Sequence, residues 1–147
     1  HIMILGHYKT LLTYLYKGIE FRGLGSVGYY VGGMKKEALK ESEGKKIIIA
    51  TYSMAAEALD IKTLTTLIMA TPKTDVEQSI GRILRAKHSQ PLVIDVVDVH
   101  TVFQRQAAKR VSYYKKQGYQ IVKDGEVIKS KKKVTDKPFG GKCVLHM

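Results

Sequence analysis

The chain has 147 residues, 25 Lys and Arg against 13 Asp and Glu, a formal net charge of +12 and 44% apolar residues. That length fits one domain, and this balance of apolar and charged residues excludes full-length disorder and a collagen-like repeat. No run approaches the roughly 18 consecutive apolar residues of a membrane span, so the composition reads as a soluble, intracellular domain with no membrane contact.

Short apolar runs alternate with helical periodicity, the pattern of an α/β fold with a mostly parallel sheet flanked by helices. The chain enters at His1 directly into an apolar strand over 2–5, which reads as a piece cut from a longer protein. Tyr8, Leu11, Leu12, Leu15 and Ile19 recur at helical spacing and predict a helix over 8–21 lying on the sheet. A second strand over 27–31 ends at Gly32 and Gly33, and 34–42 reads as a short charged helix. Ile47, Ile48, Ile49, Ala50 and Thr51 lack polar alternation, as strands covered on both faces do. Residues 55–59 allow at most a turn or two of helix, and 65–70 read as a fourth strand. Thr74 and Glu77 have capping-box spacing just after Pro72, which predicts a helix from Thr74 to about residue 86. A fifth strand over 92–97 leads to a long basic helix with Phe103, Ala107, Val111 and Tyr114 as its buried stripe, ending near Gly118. Asp124 and Gly125, between strands over 119–123 and 126–129, predict a type I′ hairpin. Apolar periodicity vanishes from Ser130, which predicts a loosely held or disordered tail. The expected division is a lobe over 1–123 and a hairpin with lysine-rich tail over 124–147.

The charge is uneven. Residues 1–100 carry 13 Lys and Arg against 10 Asp and Glu, whereas residues 101–147 carry 12 against 3. One basic run comprises Arg105, Lys109, Arg110, Lys115 and Lys116, and a second lies among the lysines from 129 onward. Such runs favour a polyanionic partner, because cations that neutralise phosphates release condensed counterions. A solvated basic helix with a solubilising tail has the same composition.

Three other features read more plainly. Gly23, Gly25 and Gly28 match G-x-G-x-x-G, but the run leaves a helix and enters a strand, the reverse of the dinucleotide fingerprint, so they are turn glycines. Asp95 and Asp98 point to opposite faces of an extended strand and read as strand-end residues facing a cleft, not as an acid pair. Cys143 is the single cysteine and the five histidines are scattered, so no metal held by cysteine or histidine is expected.

The informative segment is 78–85. At about 100° per residue, Gln78, Arg82 and Arg85 share one helix face, while Val76, Ile80 and Ile83 share the opposite one. Gly81 borders the polar face at a cost of roughly 1 kcal/mol in helix propensity, which suggests that something approaches closely.

Gln78, Gly81, Arg82 and Arg85 in this spacing resemble motif VI of superfamily 2 helicases, and residues 50–61 resemble motif V. The strand over 2–5 with Gly6 and His7 resembles motif IV. The resemblance covers about residues 1–120, as the C-terminal RecA-like lobe, and is nearest to DNA helicases of phages and large DNA viruses. It implies that Arg85 is an arginine finger for ATP, that Arg82 lies beside it, and that Gln78 faces the same cleft. It implies a nucleotide-side role for Asp60, Glu57 and Gly81, and contacts to nucleic-acid phosphates from Thr51 and from the strand ends at Gly6, His7, Gly32 and Gly33. Ala58 and Lys62 stand where the family usually has glycine and proline. Neither G-x-x-x-x-G-K-[ST] nor a D-E Walker B pair occurs in the 147 residues.

The expectation is therefore the C-terminal motor lobe of an ATP-dependent DNA helicase or translocase, inactive alone. ATP with Mg is held mainly by a preceding Walker-bearing lobe, and DNA is the expected nucleic-acid partner, in the cytoplasm or at a viral replication site. Two rival readings remain: a non-catalytic nucleic-acid-binding α/β module, and a dinucleotide enzyme whose fingerprint is misplaced.

Overall fold

The computed structural model describes residues 1–58, 61, 63–77, 80–81, 91–128 and 142–146, with the side chains of Glu57, Ala58, Lys142 and His146 left aside. Its described elements, in chain order, are β1 (Ile2–Gly6), α1 (Lys9–Phe21), β2 (Val27–Tyr30), α2 (Lys36–Glu43), β3 (Ile47–Thr51), α3 (Tyr52–Ala58), β4 (Thr66–Met69) and β5 (Leu92–Val96). They continue with α4 (Thr101–Lys116), β6 (Gln120–Lys123), β7 (Glu126–Ile128) and β8 (Lys142–His146).

These strands make one eight-stranded sheet in the order β2-β3-β1-β4-β5-β8-β6-β7. Every neighbouring pair is parallel except the β6–β7 hairpin. The mostly parallel α/β sheet flanked by helices, expected from alternating strands and helices, is thus the one observed, and it is consistent with the RecA-like lobe that the resemblance implies. β1 sits inside, and the pattern of all-buried residues along β3 follows from its place between β1 and β2 with both faces covered.

Alternation along the strands sorts the core into two layers. Ile2, Ile4, Ile47, Ile49 and Ile68 pack with Leu12, Leu15 and Ile19 of α1. On the other face Met3, Leu5, Ile48, Ala50, Leu67, Met69 and Val93 pack with Tyr52 and Ala55 of α3 and with Ala107 and Tyr114 of α4. Each fully buried aliphatic side chain contributes about 1.5–3 kcal/mol of transfer free energy. Gly28 admits α2 closely to β2: a Cβ there would lie 2.9 Å from Ser42 Cβ. The run Gly23–Gly28 therefore serves a turn and a packing contact.

The hairpin turn is as the sequence predicts, with Asp124 at φ 50° and Gly125 at φ 85°, the pair of left-handed residues that type I′ requires. Helix α3 starts at Tyr52 with no loop after β3. Asp75, one residue beyond the expected Thr74, caps the next helical turn: its Oδ1 accepts the Glu77 N–H at 3.2 Å. Ile80 N–H then donates to the Val76 carbonyl at 2.8 Å, and both side chains are buried.

Three expectations are corrected. The tail is not unstructured throughout, because β8 lies between β5 and β6, with Cys143 paired to Val93 on one side and Ile121 on the other. Asp95 does not face a cleft: it is 0% exposed, as is Arg110. Arg110 is accordingly no part of a polyanion-binding surface. Its Nε and Nη2 donate to the two Asp95 oxygens at 2.7 and 2.8 Å, and its Nη1 donates to the Lys73 carbonyl at 2.8 Å. The Tyr114 hydroxyl adds a 3.1 Å bond to Asp95. Burial works against the guanidinium charge, and the bonds and charge of Asp95 outweigh it, so the Arg110 pKa is raised.

Removing one partner strands the other as a buried charge. Arg110→Ala should therefore destabilise the chain by about 3–5 kcal/mol in urea unfolding, and Asp95→Leu combined with Arg110→Met by much less. A double variant as unstable as the single one would mean that the pair is worth more than its desolvation cost. The Cys143 thiol is fully buried and its pKa is pushed up by burial and then by Asp95. It should resist thiol reagents in the native chain and react promptly in urea; fast native labelling would show β8 undocked.

Candidate nucleic-acid interface

In a parallel sheet the strand order reverses direction at one point, and the loops leaving the carboxyl ends there diverge and open a crevice. Here that point is β1. The chain leaves β1 toward β2 across one face, while β4 and β5 follow on the other side of β1. At these strand ends lies a cavity of about 540 Å³ lined by His7, Lys9, Gly32, Thr51, Tyr52, Ser53 and Lys73. The described lining holds two ammonium groups, hydroxyls and an imidazole, and no carboxylate.

Each wall is fixed by local bonding. Residue His7 follows β1, and its backbone N–H donates to Thr71 Oγ1 at 3.1 Å. Lys9 opens α1 and reaches back so that its Nζ donates to the Gly32 carbonyl at 2.9 Å. Thr51 ends β3 with its hydroxyl 3.3 Å from Ser53 Oγ. Tyr52 anchors the floor: its hydroxyl donates to the Thr71 carbonyl at 2.6 Å, and its ring meets His7 edge-on at 4.7 Å. Lys73 Nζ lies 4.9 Å from the centroid of the same ring, a cation–π contact that holds the ammonium at the cavity. Burial and then the Lys73 charge lower the His7 pKa below its ordinary 6.5, so the ring is neutral at pH 7. Burial, then Asp95, pushes the Tyr52 phenol up, so it remains a donor.

Fixed cations and hydroxyls, with no carboxylate among the described lining, make a cradle for an anion such as a phosphate. Of the residues expected here, the fold brings His7, Gly32 and Thr51 into the lining. Gly6 is the last residue of β1, behind His7, and Gly33, at φ 90°, turns the chain beside the cavity without lining it. Gly81 lies in the helical turn after Ile80, exposed, and a Cβ there would meet nothing within 4 Å. Asp60, Gln78, Arg82 and Arg85 lie outside the described residues, as does the side chain of Glu57. Lys9, Tyr52, Ser53 and Lys73 were missed by sequence reasoning. A signal was present: each lies within a few residues of a strand's carboxyl end, as Thr51 and His7 do.

Among the described residues no group of three or more His, Cys, Asp or Glu could hold a metal ion, and no helix is long and apolar enough to cross a membrane.

The fold and this site define a RecA-like α/β domain with a cationic strand-end pocket. No family profile matches the chain. It is 49% identical over 102 residues, 67% of its length, to a protein of Acanthamoeba polyphaga mimivirus named as a putative ATP-dependent RNA helicase. It is 31% identical over 132 residues, 83% of its length, to an African swine fever virus protein named likewise. A putative helicase of Invertebrate iridescent virus 6 is 32% identical over 74 residues, 50% of this chain and 17% of that protein. The chain is helicase-related, of the type found in large DNA viruses. It spans 20% and 26% of the length of the first two relatives.

The lowered His7 pKa gives the pocket a pH signature. A bound phosphate offsets the Lys73 field and raises the pKa, so by linkage oligonucleotide affinity should rise as pH falls from about 7.5 to about 5.5. In the free chain the sign is opposite: the unfolded state takes up the proton first, so stability declines over the same window. His7→Gln should flatten both trends, and a rise in affinity that survives the substitution would place its origin elsewhere.

Proposed function

We propose that the chain is the C-terminal motor lobe of an ATP-dependent superfamily 2 helicase or translocase. The observation that carries this reading is the pocket formed at the carboxyl ends of β1, β2, β3 and β4 by His7 and Lys9, Gly32, Thr51 and Lys73, in a chain related to viral helicases. In the proposal, that pocket grips the nucleic-acid backbone. Gly32 lies in its lining, Gly6 ends the strand behind His7 and Gly33 turns the chain beside it, and the Thr51 and Ser53 hydroxyls donate to a phosphate.

ATP is a substrate shared between two lobes. The triphosphate and Mg are held by a preceding lobe that carries the Walker motifs, which the 147 residues lack. Arg82 and Arg85 reach it across the cleft, with Gln78 beside them, Asp60 and Glu57 at the nucleotide side, and Gly81 keeping the helix face clear. A planar guanidinium that spreads over phosphoryl oxygens stabilises the charge that develops in transfer. Cleft closure places the arginines, and reopening after hydrolysis shifts the grip along the strand.

Sequence resemblance favours DNA as the track, whereas the relatives' names say RNA. Lysines and hydroxyls address the phosphate backbone that both share, so the grip itself is proposed for either, and the track is decided by which strand stimulates hydrolysis. The rival binding-module reading shares the phosphate grip but not the arginine role.

Joined to a Walker-bearing lobe, the protein should hydrolyse ATP faster when nucleic acid is added. Arg85→Ala should lower that turnover by about 10³-fold or more while leaving strand affinity within a few-fold. Lys73→Ala should do the converse, weakening strand binding and lowering the slope of log affinity against log salt by about 0.7–0.9. Turnover that survives Arg85→Ala would remove the motor-lobe reading and leave the binding module.

A further inference from the structure

A second cavity, of about 560 Å³, runs along the flank of α1 and the edge strand β2, with a floor of Tyr16, Tyr29, Val31 and Met34 and with Lys9 and Lys17 on its rim. The Tyr16 and Tyr29 rings are stacked, 4.3 Å apart and 11° from parallel. Both are only half-buried, and Lys9 and Lys17 are exposed. The remaining rim has one acid, Glu20, whose charge, after burial, raises the Tyr16 pKa.

Lys9 lines both this groove and the strand-end pocket. Its bond to the Gly32 carbonyl pins the turn over 31–34 that separates them, since Gly32 faces the pocket while Val31 and Met34 face the groove. A polymer gripped by phosphates in the pocket therefore meets, one turn of backbone away, an aromatic and aliphatic floor with lysines along its rim. Single strands are held by this pairing of a cationic track with aromatic faces on which bases stack.

We infer that the groove between α1 and β2 is a base-binding subsite for a single-stranded nucleic acid that continues from the phosphate pocket, its bases extending the Tyr16–Tyr29 stack. This rests on the nucleic-acid reading above and adds a strand path and a base contact to it. Because the floor contacts bases and not sugars, the subsite serves DNA and RNA strands alike.

The test compares the full chain's affinity for an oligothymidylate of about 15 nucleotides, the matching oligouridylate, and an abasic phosphodiester of equal length and charge. Wild type should bind at least one base-bearing strand about tenfold more tightly than the abasic one, and the ratio of the two strands reports the preferred sugar. Tyr29→Ala and Tyr16→Ala should remove the gain and leave abasic affinity unchanged, and Tyr29→Phe should keep it. Lys17→Ala, on the exposed rim and outside the core, provides a variant whose folding is not at stake. It should lower the salt slope by about 0.7–0.9. Equal affinity for base-bearing and abasic strands, or an unchanged salt slope in Lys17→Ala, overturns the subsite while leaving the phosphate grip standing. Binding of none of the three strands removes the grip and the subsite together.

Discussion

The contact on which this structure turns is the ion pair between Asp95 and Arg110, both fully buried. Burying two charges is costly, and the attraction between them repays it only when the geometry is good and other bonds satisfy what is left over. Here the guanidinium meets both carboxylate oxygens, Tyr114 donates to the same carboxylate, and the remaining guanidinium nitrogen finds the Lys73 carbonyl. One end of the network fixes α4 against β5. The other fixes the loop over 71–77, and with it both the ammonium of Lys73 in the pocket and the start of the turn capped by Asp75. A hydrophobic pair would hold α4 as firmly, but it would give the loop carbonyl no donor.

That loop matters because, in the proposed function, two tasks meet on it. Upstream, Thr71 accepts from the His7 backbone and, through its carbonyl, from Tyr52, so the ends of β1 and β3 are tied to the end of β4. Downstream, Val76 and Ile80 bury one side of a helical turn, which leaves Gly81 exposed on the other side. In the proposed function, the first half grips a phosphate and the second carries the residues that approach ATP. A rigid connection between them is what a motor lobe needs in order to couple one event to the other.

The basic character of the chain is thereby divided among different tasks. Arg110 spends its charge inside the fold, whereas Lys9, Lys73 and, in the further proposal, Lys17 are placed at cavities. Counting cations along the sequence put the weight of phosphate binding on the C-terminal third. The strand-end pocket draws its lysines from the first half of the chain, at positions where the local charge balance is nearly even, while the lysines from 129 to 137 lie outside the described residues.

The sequence by itself determined the elements and their type. A run such as Ile47-Ile48-Ile49-Ala50-Thr51, without polar alternation, specifies a strand covered on both faces, helical spacing of Leu12, Leu15 and Ile19 specifies a helix with one buried stripe, and Asp124-Gly125 specifies its turn. It also marked Thr51, His7 and Gly32 as strand-end residues of one site. The tertiary structure alone decided what depends on distant partners. The strand β8 carries no readable pattern in its five residues, and it exists because β5 and β6 offer free edges on either side of it. Asp95 and Arg110 look like surface charges along the chain, and only the packing of α4 on β5 brings them within 2.7 Å and excludes water from both. Lys9 and Lys73 lie 64 positions apart, and it is the parallel sheet, by gathering its strand ends at one crevice, that makes them neighbours of a single pocket.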